Sequence, residues 1–267
     1  MANTIDWGEA SVNNTNEYGK GAINNTIRWG KIYESSASGE TNIGTAAAFS
    51  NTKSIEFDGI DAYAELASRT QNFTNFTLSF WIKPSASIGA SFDGIVGQDS
   101  STAEGGILRY LVMHGTQVRA FIGSWTILSS TLTLGNWHHI ALTYDSTSNV
   151  LKGYTNGSLS VTVNSPNFSG ASTNAHSFRR IAMRNASLST CLPAHLDEMS
   201  VFSSALDATQ ISSIYNSGKP NDLSSLSPVH WWRFGDGDTS PTLTDNGSGS
   251  INAAMENVTT FSTDVPT

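Results

Sequence analysis

At 267 residues and 28.5 kDa the chain suits one large domain or two small ones, and all-β sandwiches of roughly 200–250 residues routinely form single units. Charged residues make up only 13%, against about 25% in ordinary soluble domains, and the net charge of -8 disfavours nucleic acid phosphates and anionic lipid as partners. The single Cys191 excludes an intrachain disulfide framework, no apolar run reaches the ~18 residues of a membrane span, and the start Met1-Ala2-Asn3-Thr4-Ile5-Asp6 has neither the basic nor the apolar part of a signal peptide, so cytoplasmic synthesis is expected.

Residues 1–50 come first and stand apart. Thr4-Ile5-Asp6-Trp7-Gly8 recurs as Thr26-Ile27-Arg28-Trp29-Gly30, with the tryptophans 22 residues apart (29 − 7). Each copy is too short to bury a core, so the two must pair with each other or dock on something larger. They are either edge strands of the following domain, or an attachment and oligomerisation arm with Trp7 and Trp29 buried in a partner, since buried tryptophan dominates interface energetics.

From Ser54 the chain reads as short strands between turn residues. Phe76, Leu78, Phe80 and Ile82 alternate with Thr77, Ser79 and Trp81, which predicts one buried face at period two. Tyr110 and Val112, then Val118, Ala120 and Ile122, continue the pattern across the turn at His114-Gly115-Thr116. A strand over Trp137-His138-His139-Ile140-Ala141-Leu142-Thr143-Tyr144-Asp145 is followed by a second ending in Asn156-Gly157, a strong hairpin signal because both central turn positions need positive φ. Asp207 to Asn216 breaks the strand pattern: Asp207 caps a helix with Gln210 reciprocating, Ile211, Ile214 and Tyr215 supply its apolar stripe, and Gly218 with Pro220 stops it.

Four ordered motifs carry a family resemblance. Ser54-Ile55-Glu56-Phe57-Asp58-Gly59-Ile60-Asp61-Ala62-Tyr63, Phe76 to Pro84, Gly135 to Asp145 with Tyr154-Thr155-Asn156-Gly157, and His195-Leu196-Asp197-Glu198-Met199-Ser200-Val201-Phe202 with Ser204-Ala205-Leu206 resemble the laminin-G-like jelly rolls of the concanavalin A-like lectin/glucanase superfamily. Ala62 stands where that pattern usually has a second aspartate. The resemblance implies an all-β fold, an antiparallel β-sandwich with one short helix and terminal extensions: an arm over 1–50, a jelly roll over 51–236, and a Gly/Asn-rich segment over 237–267 packing on the sandwich. Ile27-Arg28-Trp29-Gly30-Lys31-Ile32-Tyr33, Trp231-Trp232-Arg233-Phe234-Gly235-Asp236-Gly237-Asp238 and the ending Asp264-Val265-Pro266 are similar to the terminal segments of laminin-G-like proteins of marine tailed phages.

Superfamily members include glucan hydrolases, whose carboxylate pair sits about 5 Å apart in an E-x-D-x-(x)-E frame. Here His195 takes the first glutamate's place and Ser200 or Val201 the last, so no catalytic residues are expected; strand alternation sends Asp197 and Glu198 to opposite faces. The adjacent His138 and His139 diverge in the same way and cannot chelate one metal. The resemblance implies a structural Ca2+ held by Asp58, Asp61 and Asp197, although Asp58-Gly59 and Asp61 are also ordinary turn formers. For sugars, which present an apolar face and a ring of hydroxyls, the candidates are Trp125 in its loop-like surroundings with Arg109, Tyr110 and Arg119, whereas Trp81 and Trp137 are expected in the core. If Trp231-Trp232 is a strand, one ring faces inward and one outward.

These readings converge on a non-enzymatic structural protein of a phage virion, a capsid decoration or tail appendage exposed on the particle. Its expected partners are other virion proteins, further copies of itself and possible host or environmental polysaccharide, with no nucleic acid and no membrane insertion. The rivals are a glycoside hydrolase or lyase, and a cellular adhesion or carbohydrate-binding module.

Overall fold

The computed structural model describes residues 49–85, 91–98, 108, 110–167 and 176–267, and before them the backbone of five short strands. The chain divides into two compact units, Met1–Phe49 and Ser50–Thr267. In the first, β1 (Asn3–Ile5) runs parallel to β3 (Asn25–Ile27), β2 (Ala10–Val12) runs parallel to β4 (Ile32–Ser36), and β5 (Gly39–Asn42) folds back antiparallel onto β4. Ile5 lies opposite Ile27 and Ala10 opposite Ile32, so both parallel pairs are offset by the 22 residues of the sequence repeat (27 − 5 and 32 − 10). The two copies pair with each other strand to strand. Trp7 and Trp29 lie outside the described residues.

The second unit is a sandwich of two antiparallel sheets. Its strands are β6 (Ile55–Asp58), β7 (Tyr63–Leu66), β8 (Phe76–Pro84), β9 (Asp93–Gly97), β10 (Leu111–His114), β11 (Gln117–Phe121), β12 (Trp125–Ile127), β13 (His138–Asp145), β14 (Val150–Thr155), β15 (Ser158–Asn164), β16 (Arg180–Ile181), β17 (Pro193–Phe202), β18 (His230–Trp232), β19 (Thr242–Leu243) and β20 (Ala253–Glu256), with the helix α1 (Ala208–Tyr215) between β17 and β18. One sheet runs β15-β14-β13-β8-β17-β18 with β6 also on β17; the other runs β12-β11-β10-β9-β16-β7-β20-β19. The segment over 237–267 does more than pack on the sandwich: β20 pairs with β7 and brings β19 with it, completing the second sheet.

Period-two alternation builds the core. Phe76, Leu78, Phe80 and Ile82 of β8 face Ile140 and Leu142 of β13 and Leu196 and Val201 of β17, all fully buried. The opposite face of β8 is buried as well, contrary to the one-sided expectation, because α1 and the chain leading into it cover it. Thr77 Oγ1 donates to the Ser204 carbonyl and accepts from the Leu206 N–H, Ser79 Oγ meets His139 Nε2, and Trp81 stacks on Tyr215 at 5.8 Å. The predicted caps form: Asp207 accepts from the Gln210 N–H while Gln210 returns a bond to the Asp207 N–H, and Asn216 ends the helix at φ 45°. Asn156 and Gly157, at φ 50° and 74°, make the tight turn between β14 and β15.

Candidate functional site

Trp125 sits where a hairpin exposes it. On β11, Val118 and Ala120 are fully buried while Gln117, Arg119 and Phe121 point outward, and the register of β12 sets Trp125 beside Phe121 and Ile127 beside Arg119 on that outer face. Because β12 is the edge strand, these rings are only half covered. Phe92, just before β9, joins them: its ring stacks on Trp125 at 4.2 Å and 21° and on His114 at 4.3 Å and 16°, and Phe121 meets Trp125 edge-on at 5.5 Å. His114–Phe92–Trp125–Phe121 is thus a continuous row of half-buried rings, flanked by the Arg119 guanidinium, which donates to Gln117 Oε1 at 3.2 Å.

Of the other residues predicted beside Trp125, Tyr110 corrects the expectation: it is only 6% exposed, because it adjoins β10, an inner strand flanked by β9 and β11, and offers no free ring. Arg109 lies outside the described residues. Sequence reasoning misses Phe92, His114 and Phe121. Phe121 carries a signal, four positions before Trp125 across the Gly123-Ser124 turn, whereas Phe92 arrives through strand pairing that no local pattern announces.

The three predicted metal ligands are not brought together. Asp58 lies opposite Pro193 and Asp197 opposite Trp81, so the two stand four positions apart along β17, roughly 13 Å, too far for one ion. Asp58 acts as the turn former instead: its Oδ1 accepts the N–H groups of Ile60, Asp61 and Ala62 at 2.8–3.1 Å. Burial raises its carboxyl, but those N–H groups outweigh it and hold the pKa below the ordinary value. Among the described residues no group of three or more His, Cys, Asp or Glu side chains could hold a metal.

Asp197 and Glu198 do not diverge as alternation predicts. A bulge between Asp197 and Ser200 puts Glu198 at φ 47°, and its carboxylate reaches Trp231 Nε1 at 2.6 Å and Arg233 Nε at 3.0 Å. Trp231 pairs with Ser200 on the same outward face that carries Asp197 and Trp81, so the bulge turns Glu198 toward Asp197. Both acids are buried, at 0% and 3% exposure. Burial, then the neighbouring Glu198 charge, pushes Asp197 well above the ordinary range; burial lifts Glu198 to about 7 against the pull of Arg233 and the Trp231 N–H. Asn51 Nδ2 donates to Asp197 at 2.9 Å, closing the pair from solvent. Glu198 and Arg233 also cover Trp231, so both tryptophans of β18 are buried, Trp232 in the core and Trp231 on the far face at 7% exposure. Cys191 is buried too, its thiol pushed up to about 11 by burial, which leaves no reactive thiolate.

The profile of a laminin-G-like family, within the concanavalin A-like lectin/glucanases superfamily, matches residues 58–212, more than half of the chain. The chain belongs to this family. Its laminin-G-like fold is shared by a Bacteroides ovatus protein described as carbohydrate binding, at 17% identity and TM-score 0.56, over 85% of this chain and 67% of that one. The native heptameric SAP-like pentraxin of Limulus polyphemus matches at 15% identity and TM-score 0.51, over 78% of this chain and 96% of its own. At such identities the likeness is one of fold. No curated protein matches the chain.

Proposed function

We propose that this laminin-G-like protein is a non-catalytic glycan-binding module whose site is the ring row on the outer face of the β9–β12 edge. The observation that carries the reading is the half-buried stack His114–Phe92–Trp125–Phe121 beside Arg119, which holds the Trp125 indole at the sheet edge as an apolar contact for a sugar ring, next to a fixed donor for hydroxyls. The carbohydrate-binding description of the Bacteroides ovatus structure supports it. Against hydrolysis stands the burial of Asp197 and Glu198, which a substrate cannot reach. The heptameric state of the Limulus pentraxin supports an oligomer that multiplies weak contacts.

The finer reading is display on a tailed-phage particle, supported by the low charge content and the phage-like terminal motifs. Mass spectrometry of purified particles, together with the genome neighbourhood, tests it. The glycan site is tested by Trp125→Ala. Affinity for a polysaccharide that perturbs the Trp125 indole signal of the full chain should fall about tenfold or more, roughly 1.4 kcal/mol, with the fold retained. Undiminished binding overturns the assignment, and reducing sugar released at a rate abolished by Glu198→Gln overturns the non-catalytic reading.

A further inference from the structure

We propose that the outward face of the seven-stranded sheet carries a second saccharide pocket, specific for neutral sugars and independent of the Trp125 row. A cavity of about 330 Å³ opens between the end of β8, the loop before β13, the β14–β15 turn and the end of α1, lined by Trp81, Asn136, Trp137, Asn156 and Tyr215 with small neighbours. That volume lies at the lower end of small-ligand sites, ~300–1,000 Å³, and suits a terminal sugar residue or a disaccharide. Among the described residues no lysine, arginine, aspartate or glutamate side chain lines it, the small neighbours being Gly135, Gly218 and Thr267, so no side chain described there would compensate a uronate or sulfate group. What lines it is what a neutral sugar requires: aromatic faces for the C–H side of the ring, and amides for its hydroxyls.

The aromatic groups are held in place before any ligand arrives. Contrary to the core position expected from sequence, the Trp137 ring is only half buried, and it is fixed from behind: Nε1 donates to Asp264 Oδ1 at 2.9 Å, Asp264 is paired in turn with Lys83, and the His195 ring packs against the indole at 6.0 Å. With its N–H already satisfied, the indole has only its face left to offer. On the other side Tyr215, half buried, stacks on Trp81 at 5.8 Å and 26°, and both pack against the buried His139 ring. Asn156 is pinned by the turn, its Oδ1 accepting the His139 N–H at 2.9 Å, while Asn136 is exposed at the rim. Such preorganisation lowers the entropy cost of binding.

The consequence rests on the glycan reading above. The Trp125 row is on the outer face of the eight-stranded sheet and this pocket on the outer face of the seven-stranded one, so a single molecule would hold two separate glycan chains and cross-link them. Titrating the full chain with neutral gluco-, galacto- and manno-oligosaccharides, while following the tryptophan indole N–H resonances by NMR, separates the sites; Trp137→Phe and Trp125→Phe assign the two peaks. The Trp137 signal should shift saturably with at least one of these sugars and not with alginate oligomers, should do so unchanged in Trp125→Ala, and should need several-fold more sugar in Asn136→Ala. Because Asn136 is an exposed loop side chain, that variant keeps the test valid even where Trp137→Ala fails to fold. A Trp137 signal unmoved by every neutral sugar at millimolar concentration, or one that moves only when Trp125 is intact, overturns the second pocket. Failure of the Trp125 row alone leaves the Trp137 titration standing.

Discussion

Glu198 shows how much chemistry one bulged residue can concentrate. Its carboxyl sits at about 7 against an ordinary 4.5, so the folded state holds this proton more tightly than the unfolded chain does. The stability it contributes is therefore full at low pH and is withdrawn as pH rises from about 4.5 through 7. His139 works in the opposite direction: burial lowers it from 6.5 to about 3, so folding loses stability as pH falls below 6.5. The two slopes oppose each other between pH 4.5 and 6.5, and a difference measurement separates the Asp197–Glu198 pair from His139. Melting temperatures of Glu198→Gln minus wild type should grow more positive from pH 5 to pH 8, since the amide mimics the protonated form and does not titrate; a difference that is flat or falls with pH contradicts the assignment. The same residue limits what strand alternation can say, because its orientation depends on a local register shift that no side-chain pattern encodes.

At the scale of the elements, the hairpins and the helix are where local sequence and final structure agree. The Asn156-Gly157 turn and the Asp207/Gln210 cap follow from dihedral and hydrogen-bonding preferences that are complete within a few residues. Tertiary contact then adds a second constraint at the turn. A Cβ on Gly157 would be strained at φ 74° and would also come within 2.8 Å of Tyr215 Cδ1, whereas Gly115, at φ 57°, has nothing within 4 Å. Both Gly→Ala changes should cost the left-handed penalty of about 1–2 kcal/mol. Gly157→Ala should cost roughly a further 1–3 kcal/mol for the displaced ring. Chemical denaturation of the two variants checks this, and equal losses would show that α1 yields freely. The Gly/Asn-rich segment after β18 is likewise an ordered element: Asp245 pairs with buried His230 at 2.7 Å and gathers the N–H groups of Trp231, Gly247 and Ile251, while Asp238 takes those of Gly235 and Thr244. Its motif is a set of carboxylates folding backbone onto backbone.

For the whole molecule, the division at Phe49 meets a network that begins one residue later. The Ser50 carbonyl accepts from Arg233, Asn51 donates to Asp197, and the Thr52 and Lys53 N–H groups donate to Asp236, joining the start of the second unit to β17 and to the turn after β18. Among the described residues the core cluster runs from Ile55 to Val258, within that unit. A chain starting at Ser50 should therefore fold with a melting temperature close to the full-length value. One starting at Ser54 should lose roughly 2–5 kcal/mol, because buried Asp197 is left without Asn51. If the chain starting at Ser50 fails to fold, residues 1–49 are part of the sandwich after all. If it folds but light scattering shows a smaller assembly than the full chain forms, those residues are the attachment arm.

The sequence by itself determined the short helix and the tight turn, because each rests on dihedral and hydrogen-bonding preference within a few residues, and its four ordered motifs carried the family resemblance that implied the sandwich. It also carried the 22-residue repeat, whose two copies pair in parallel at that same offset. Only the tertiary structure decided which aromatic groups face water. Trp125 is half exposed because β12 is an edge, Tyr110 is covered because its strand is not, and Trp137 is lifted out of the core by Asp264, 127 residues away. Likewise, Asp58 and Asp197 belong to one motif set in the sequence, yet strand register holds them apart. Exposure and side-chain convergence are sums over neighbours from distant segments, and a one-dimensional pattern holds no record of those neighbours.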